Sequence, residues 1–118
     1  MRYFKYLFVC LIAVSFASSA FSGTIALIQI NQQAQFFTYM NDGAKAQASK
    51  RGHKMVIYNA NNDPTAQNNA IETYIQQGVD GLIVVAIDTN GIMSAVIQAA
   101  NAGIPVVAVD AILPDGPQ

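Results

Sequence analysis

From Thr24 onward the chain alternates two textures, and that alternation constrains its fold more than any other feature. Short runs rich in apolar and β-branched residues are Ile25-Ala26-Leu27-Ile28-Gln29-Ile30, Met55-Val56-Ile57-Tyr58, Leu82-Ile83-Val84-Val85-Ala86-Ile87 and Pro105-Val106-Val107-Ala108-Val109. Strands that are apolar almost throughout are buried on both faces, which is the habit of parallel sheets. Between the runs, apolar residues recur at helical spacing: Phe37, Met40, Ala44 and Ala48; then Ala66, Ala70, Ile71, Tyr74 and Ile75; then Ile92, Ala95, Val96, Ala99 and Ala100. Each stripe gives a helix one face that can close onto a sheet.

The spacing predicts helices over 35–51, 64–77 and 90–102. Gly52, Gly78 and Gly103 each follow a helical pattern, where a left-handed C-terminal cap needs glycine. Asp63-Pro64 reads as an N-cap followed by proline at the first helical position. The order β-α-β-α-β-α-β, with connections long enough for crossovers, predicts a doubly wound parallel sheet of the α/β class. Such sheets bind ligands outside the carboxyl ends of their strands, where the winding reverses. That rule selects four loops, over 31–37, 60–63, 88–90 and from Asp110 onward. The last of these, Ile112-Leu113-Pro114-Asp115-Gly116-Pro117-Gln118, carries no helical pattern, and a further βα unit is expected beyond it, so the layer reads as truncated.

The first twenty residues differ from the rest. Arg2 and Lys5 precede an apolar run from Tyr6 to Phe16, followed by the small residues Ala17, Ser18, Ser19 and Ala20. Charged, apolar and small in that order is the pattern of a secretory signal peptide, and the run is shorter than the roughly 20 residues of a membrane span. Residues 1–20 are therefore expected to be a leader cleaved after Ala20, with cleavage after Ser22 as the alternative. Bulky Val9 before Cys10 argues against lipid attachment. Residues 21–118 then keep four Lys and Arg against seven Asp and Glu, a net charge of −3, and no cysteine. A disulfide framework is excluded there, and the small cluster of Lys45, Lys50, Arg51 and Lys54 complements a helix end and is too small to make a nucleic-acid face.

Phe36-Phe37, Asp42-Gly43-Ala44, Asn61-Asn62-Asp63-Pro64, Gln77-Gly78-Val79-Asp80-Gly81 and the stretch from Asn101-Ala102-Gly103-Ile104-Pro105 to Asp110 together resemble the periplasmic sugar-binding proteins of the ribose-binding type. The resemblance covers residues 24–110 in register. It implies a two-lobed protein that closes on a monosaccharide and delivers it to the membrane permease of an ABC transporter. Residues 21–118 would be the incomplete first lobe of a full-length monomer exported to the periplasm. The resemblance also implies that Phe36 and Phe37 stack on the sugar ring and that Asp110 holds its hydroxyls. Three positions depart from the ribose-type pattern: Ala34 and Val85 stand where it has Asn, and Ala111 stands where it has Arg.

Read from the residues alone, Phe37 lies on the core stripe and equally anchors the helix, while Phe36 is free to face either way. Asp110 ends a strand at the ligand edge, where a carboxylate can accept from two hydroxyls or can shape a turn. Asn31 and Gln33, with Gln32 and Gln35, line the first loop and either supply donors or are simply solvated. Asp88 follows a strand and either meets ligand or caps the third helix. The candidate ligand-binding set is thus Phe36, Phe37, Asp110, Gln33, Asn31 and Asp88. His53, at the far end of the sheet, reads as a surface residue. No metal-ligand spacing, activated nucleophile or phosphate loop stands out, so neither an enzyme nor a cofactor is expected. Other functions open to such a fold are a ligand-sensing domain of a membrane-anchored sensor or transcription regulator, and an α/β enzyme of flavodoxin or hydrolase type. A regulator would need a helix-turn-helix where the leader pattern stands.

Overall fold

The computed structural model describes residues 21–118, and the leader expected over residues 1–20 lies outside them. Four strands, β1 (Thr24–Gln29), β2 (Lys54–Asn59), β3 (Gly81–Val84) and β4 (Val106–Ala108), alternate with helices α1 (Gln35–Lys50), α2 (Pro64–Gln77) and α3 (Met93–Asn101). All strand pairs are parallel, in the order β2-β1-β3-β4. The doubly wound α/β arrangement expected from the apolar runs is the one observed.

The helix ends form as their residues dictate. Asp63 Oδ1 accepts from the N–H groups of Thr65 at 2.8 Å and Ala66 at 3.1 Å, which satisfies donors that the first turn of α2 leaves unpaired. At the other ends the same closure recurs three times. The N–H of His53 reaches Ala48, that of Val79 reaches Tyr74 and that of Ile104 reaches Ala99, at 2.9, 3.2 and 3.0 Å. Each requires the intervening glycine in left-handed backbone, with φ of 77° at Gly52, 70° at Gly78 and 77° at Gly103.

Two boundaries differ from the expectation. β3 stops at Val84, although the apolar run continues to Ile87, because the Val85 carbonyl and the Ile87 N–H bond to the Gln67 side chain on α2 instead of to a neighbouring strand. α3 starts at Met93 rather than at residue 90, because residues 88–92 first fold into turns: Asp88 Oδ1 accepts from the N–H of Asn90 at 3.0 Å and of Gly91 at 2.9 Å. Asp88 is thus a cap, but of the turn that precedes the helix.

The sheet's two faces are covered unequally. One face carries Ala26, Ile28, Leu82, Val84 and Val106, buried under Ile71 and Ala70 of α2 and Ala95, Val96 and Ala99 of α3. Burial of each large aliphatic side chain there contributes about 1.5–3 kcal/mol. Among the described residues the other face meets α1 alone, which lies over β2 and β1. In the row Leu27, Ile83 and Val107, paired in register, burial falls away strand by strand. Leu27 is buried, Ile83 half-buried and Val107 exposed.

Candidate functional site

α1 crosses one face of the sheet and α2 and α3 cross the other, so the winding reverses between β1 and β3. The loops that follow these strands flank the position where such a sheet takes its ligand.

The loop after β1 is shaped by Asn31. Its Oδ1 accepts from the N–H groups of Gln33 at 3.1 Å and Ala34 at 3.3 Å, turning the chain into α1. Its Nδ2 donates to Asn62 Oδ1 at 3.0 Å, and Gln33 Nε2 reaches Asn61 Oδ1 at 3.5 Å. Asn61 and Asn62, at φ 51° and 63°, are consecutive left-handed residues, a conformation that asparagine tolerates better than most. Asn59 Oδ1 supports them by accepting from the Asn61 N–H at 2.9 Å, and the Asn62 N–H binds the Ile30 carbonyl at 2.9 Å. The loops after β1 and β2 are therefore stitched together, and among the described residues one Asn31 amide hydrogen has no partner. Gln35 turns instead to Tyr39, whose hydroxyl accepts from its Nε2 at 2.7 Å.

α1 opens with Phe36 and Phe37. Their rings meet edge to face with centroids 5.3 Å apart, a favourable aromatic geometry. Phe37 is half-buried, and Phe36 is 56% exposed. One ring thus anchors the helix and the other is offered to solvent. Asp110 is exposed at the end of β4, in left-handed backbone at φ 69°, after the Val109 N–H has made a last bond to the Val84 carbonyl at 2.9 Å. Because β3 lies between β1 and β4, Asp110 and the aromatic pair stand on opposite sides of the β3 strand end. Of the three departures from the ribose-type pattern, Val85 is fully buried and Ala34 is exposed; Ala111 packs against the core through its partly buried methyl.

Asp88 stands apart in chemistry. Its Oδ1 is committed to the turn, and its Oδ2 lies where a Cβ on Gly91 would be 2.5 Å away. Glycine at 91 leaves room for that carboxylate.

Several polar residues at this edge carry structural work that their position in the sequence did not announce. Gln67 on α2 is buried, with Nε2 donating to the Val85 carbonyl at 2.8 Å and Oε1 accepting from the Ile87 N–H at 2.9 Å. Its neighbour Asn68 donates to the Gly91 carbonyl at 3.1 Å. On the other face, buried Gln29 donates to Asn41 Oδ1 at 3.1 Å and joins β1 to α1. An amide inside an apolar stripe or run was the available signal for each buried one, since a buried carboxamide implies a partner.

A hollow opens away from this edge. It lies at the amino ends of the strands, over the half-bare face, between Phe21, Ile25, His53, Asp80, Ile83 and Val107. Each polar side chain there is tied to the entry of β1 through one atom: His53 Nδ1 accepts from the Gly23 N–H at 3.0 Å and Asp80 Oδ2 from the Thr24 N–H at 2.8 Å. His53 is half-buried and tethers the entry to β1, which corrects its reading as a plain surface residue.

Comparison with known proteins agrees with this arrangement. A family model described as periplasmic binding protein domain matches residues 25–118. The ribose import binding protein of Bacillus subtilis is 39% identical over 87 residues, covering 74% of this chain and 28% of its own length. The xylitol-binding protein of Mycolicibacterium smegmatis is 31% identical over 86 residues, covering 73% of this chain and 25% of its own. Among solved structures, an ABC transporter solute binding protein from Mycobacterium smegmatis with bound glycerol superposes with a TM-score of 0.76 at 34% identity, covering 80% of this chain and 33% of that one. The chain thus spans between a quarter and a third of the length of these relatives.

Proposed function

The chain belongs to the periplasmic binding protein domain family, and from that premise we propose that it supplies the first lobe of an exported solute-binding protein. That protein captures a sugar or sugar-like small molecule between two lobes and hands it to the membrane permease of an ABC transporter. Residues 1–20 act as a cleaved leader that carries it to the periplasm. The observation that supports this reading most is the polar rim at the β1 and β3 strand ends, with an exposed phenyl ring on one side and an exposed carboxylate on the other. The relatives named above are binding proteins by name, which agrees with a role in capture rather than catalysis.

The chemistry follows from what a sugar presents. Axial C–H groups form an apolar patch that packs on the Phe36 face, while hydroxyls at the ring's edge need fixed donors and acceptors. Asp110 accepts from two adjacent hydroxyls, and the uncommitted amide hydrogen of Asn31 donates to a third. A ligand that touches both lobes stabilises the closed state by the contacts it adds there, which is hinge closure.

Ligand identity is set by what this lobe lacks. With Ala at 34, Val at 85 and Ala at 111, two carboxamides and a guanidinium of the ribose-type pattern are missing, and a pentose would leave hydroxyls unsatisfied. The preferred solute therefore offers this lobe fewer hydroxyls or a more apolar edge than D-ribose does. Calorimetry on the intact protein with pentoses, hexoses, polyols and less polar solutes tests both points. Binding of at least one sugar or polyol, with D-ribose not the tightest, is the expected result. No binding across the panel would sink the capture reading, and nanomolar ribose binding would sink the ligand preference.

A further inference from the structure

We propose that Gln67 is a positioning residue for the solute site: from behind the sheet it fixes the main chain of the loop after β3, and so sets affinity without touching ligand. This rests on the reading of the strand ends as a solute site. β3 leaves its ladder after Val84, where the Val85 N–H makes a last bond to the Ile28 carbonyl at 3.0 Å. Beyond that point the Val85 carbonyl and the Ile87 N–H face α2, and no strand serves them. The Gln67 side chain, 1% exposed, supplies one donor and one acceptor in the spacing a neighbouring strand would offer, at 2.8 and 2.9 Å. A buried carboxamide satisfied at both ends by peptide groups is a rigid link, because breaking either bond strands a polar group away from water.

The link has a wider reach than one loop. Asn68, next along the helix, holds the Gly91 carbonyl at 3.1 Å, so α2 grips both ends of the loop from Val85 to Gly91. The same first turn of α2 is capped by Asp63, directly after Asn61 and Asn62, which bind Gln33 and Asn31. A continuous path of hydrogen bonds and one helical turn thus connects the loops after β1, β2 and β3. Recognition groups held at fixed separations lose little freedom when ligand binds. Loosening Gln67 frees the β3 loop from that frame.

Two variants of the intact protein test this beside Phe36→Ala and Asp110→Ala. Gln67→Met keeps the volume and removes both hydrogen bonds. It is expected to weaken the best sugar of the panel about tenfold and to accelerate hydrogen exchange at the Ile87 amide, with Leu82 to Val84 still protected. Gln67→Glu keeps both bonds only while its carboxyl is protonated, and burial raises that group's pKa. Its affinity relative to the parent at the same pH should therefore be near one at about pH 5 and fall as pH rises to about 8. Parent-like affinity in Gln67→Met, or a flat pH ratio in Gln67→Glu, overturns the proposal if Phe36→Ala and Asp110→Ala still weaken binding. If those two bind as the parent does, the site reading itself fails, and the proposal with it.

Discussion

Leu27 and Val107 stand in one row across the sheet, each in register with Ile83, yet Leu27 is 1% exposed and Val107 56%. The difference is the reach of α1, which covers β1 and β2 and leaves β4 bare on that side. An apolar strand face open to water favours association.

Residues 21–118 made alone are accordingly expected to be poorly soluble or molten, with strong binding of a hydrophobic dye. Val107→Lys should raise the soluble yield and lower dye binding. In the intact protein, Leu27→Lys, which forces an unpaired charge into a buried site, should abolish folding. A parent fragment that melts sharply as a monomer without binding dye would contradict the expectation.

At the candidate site, Phe36→Ala and Asp110→Ala in the intact protein should each reduce solute affinity. Loss of a stacking face or of a desolvated acceptor costs about 1–3 kcal/mol. His53→Ala is the control: it removes the acceptor of the Gly23 N–H at the far end of the strands and should leave affinity unchanged in the same calorimetric titration.

Gly91 and Asp88 should behave as a coupled pair. Gly91→Ala places a Cβ 2.5 Å from Asp88 Oδ2, so the carboxylate must rotate and give up the turn, a loss of about 1 kcal/mol. With Asp88→Ala already made, the two close contacts are gone, the one to the Cβ at 88 is an ordinary 3.5 Å, and alanine at 91 should cost little more. Urea unfolding of the two single variants and the double variant measures the coupling, and simple additivity would count against it.

For export, the secreted protein's first residue should be Phe21 or lie within about two residues of it. Terminal sequencing decides, and an intact Met1 on membrane-bound material would favour an anchored sensor.

Much of the fold was legible because its signals are local. Gly52, Gly78 and Gly103 mark left-handed closures that other residues resist, and Asp63-Pro64 announces a cap from two adjacent side chains. The end of β3 was not legible, since Val85, Ala86 and Ile87 are as apolar as the strand before them. What ends the ladder is Gln67, distant in sequence. The start of α3 was misplaced for a related reason: Asp88 does cap N–H groups, but residue type alone does not say whether a turn or a helix follows. At the site, Phe36 and Phe37 were told apart by helical periodicity, and exposure follows it. By residue type Asn31 and Gln33 fit ligand donors and solvated residues equally, whereas each donates its side-chain amide to the β2 loop, a pairing that depends on strand order.

Gln67 and Asn68 hold the loop after β3 entirely through its peptide groups: two carbonyls and one N–H. The side chains of Ile87 and Thr89, which are not buried in the core, take no part in that grip. They can therefore be exchanged in evolution or by design while the backbone that carries them keeps its course, and on the proposed reading a new solute would be accommodated at this loop without the scaffold having to be reinvented around it.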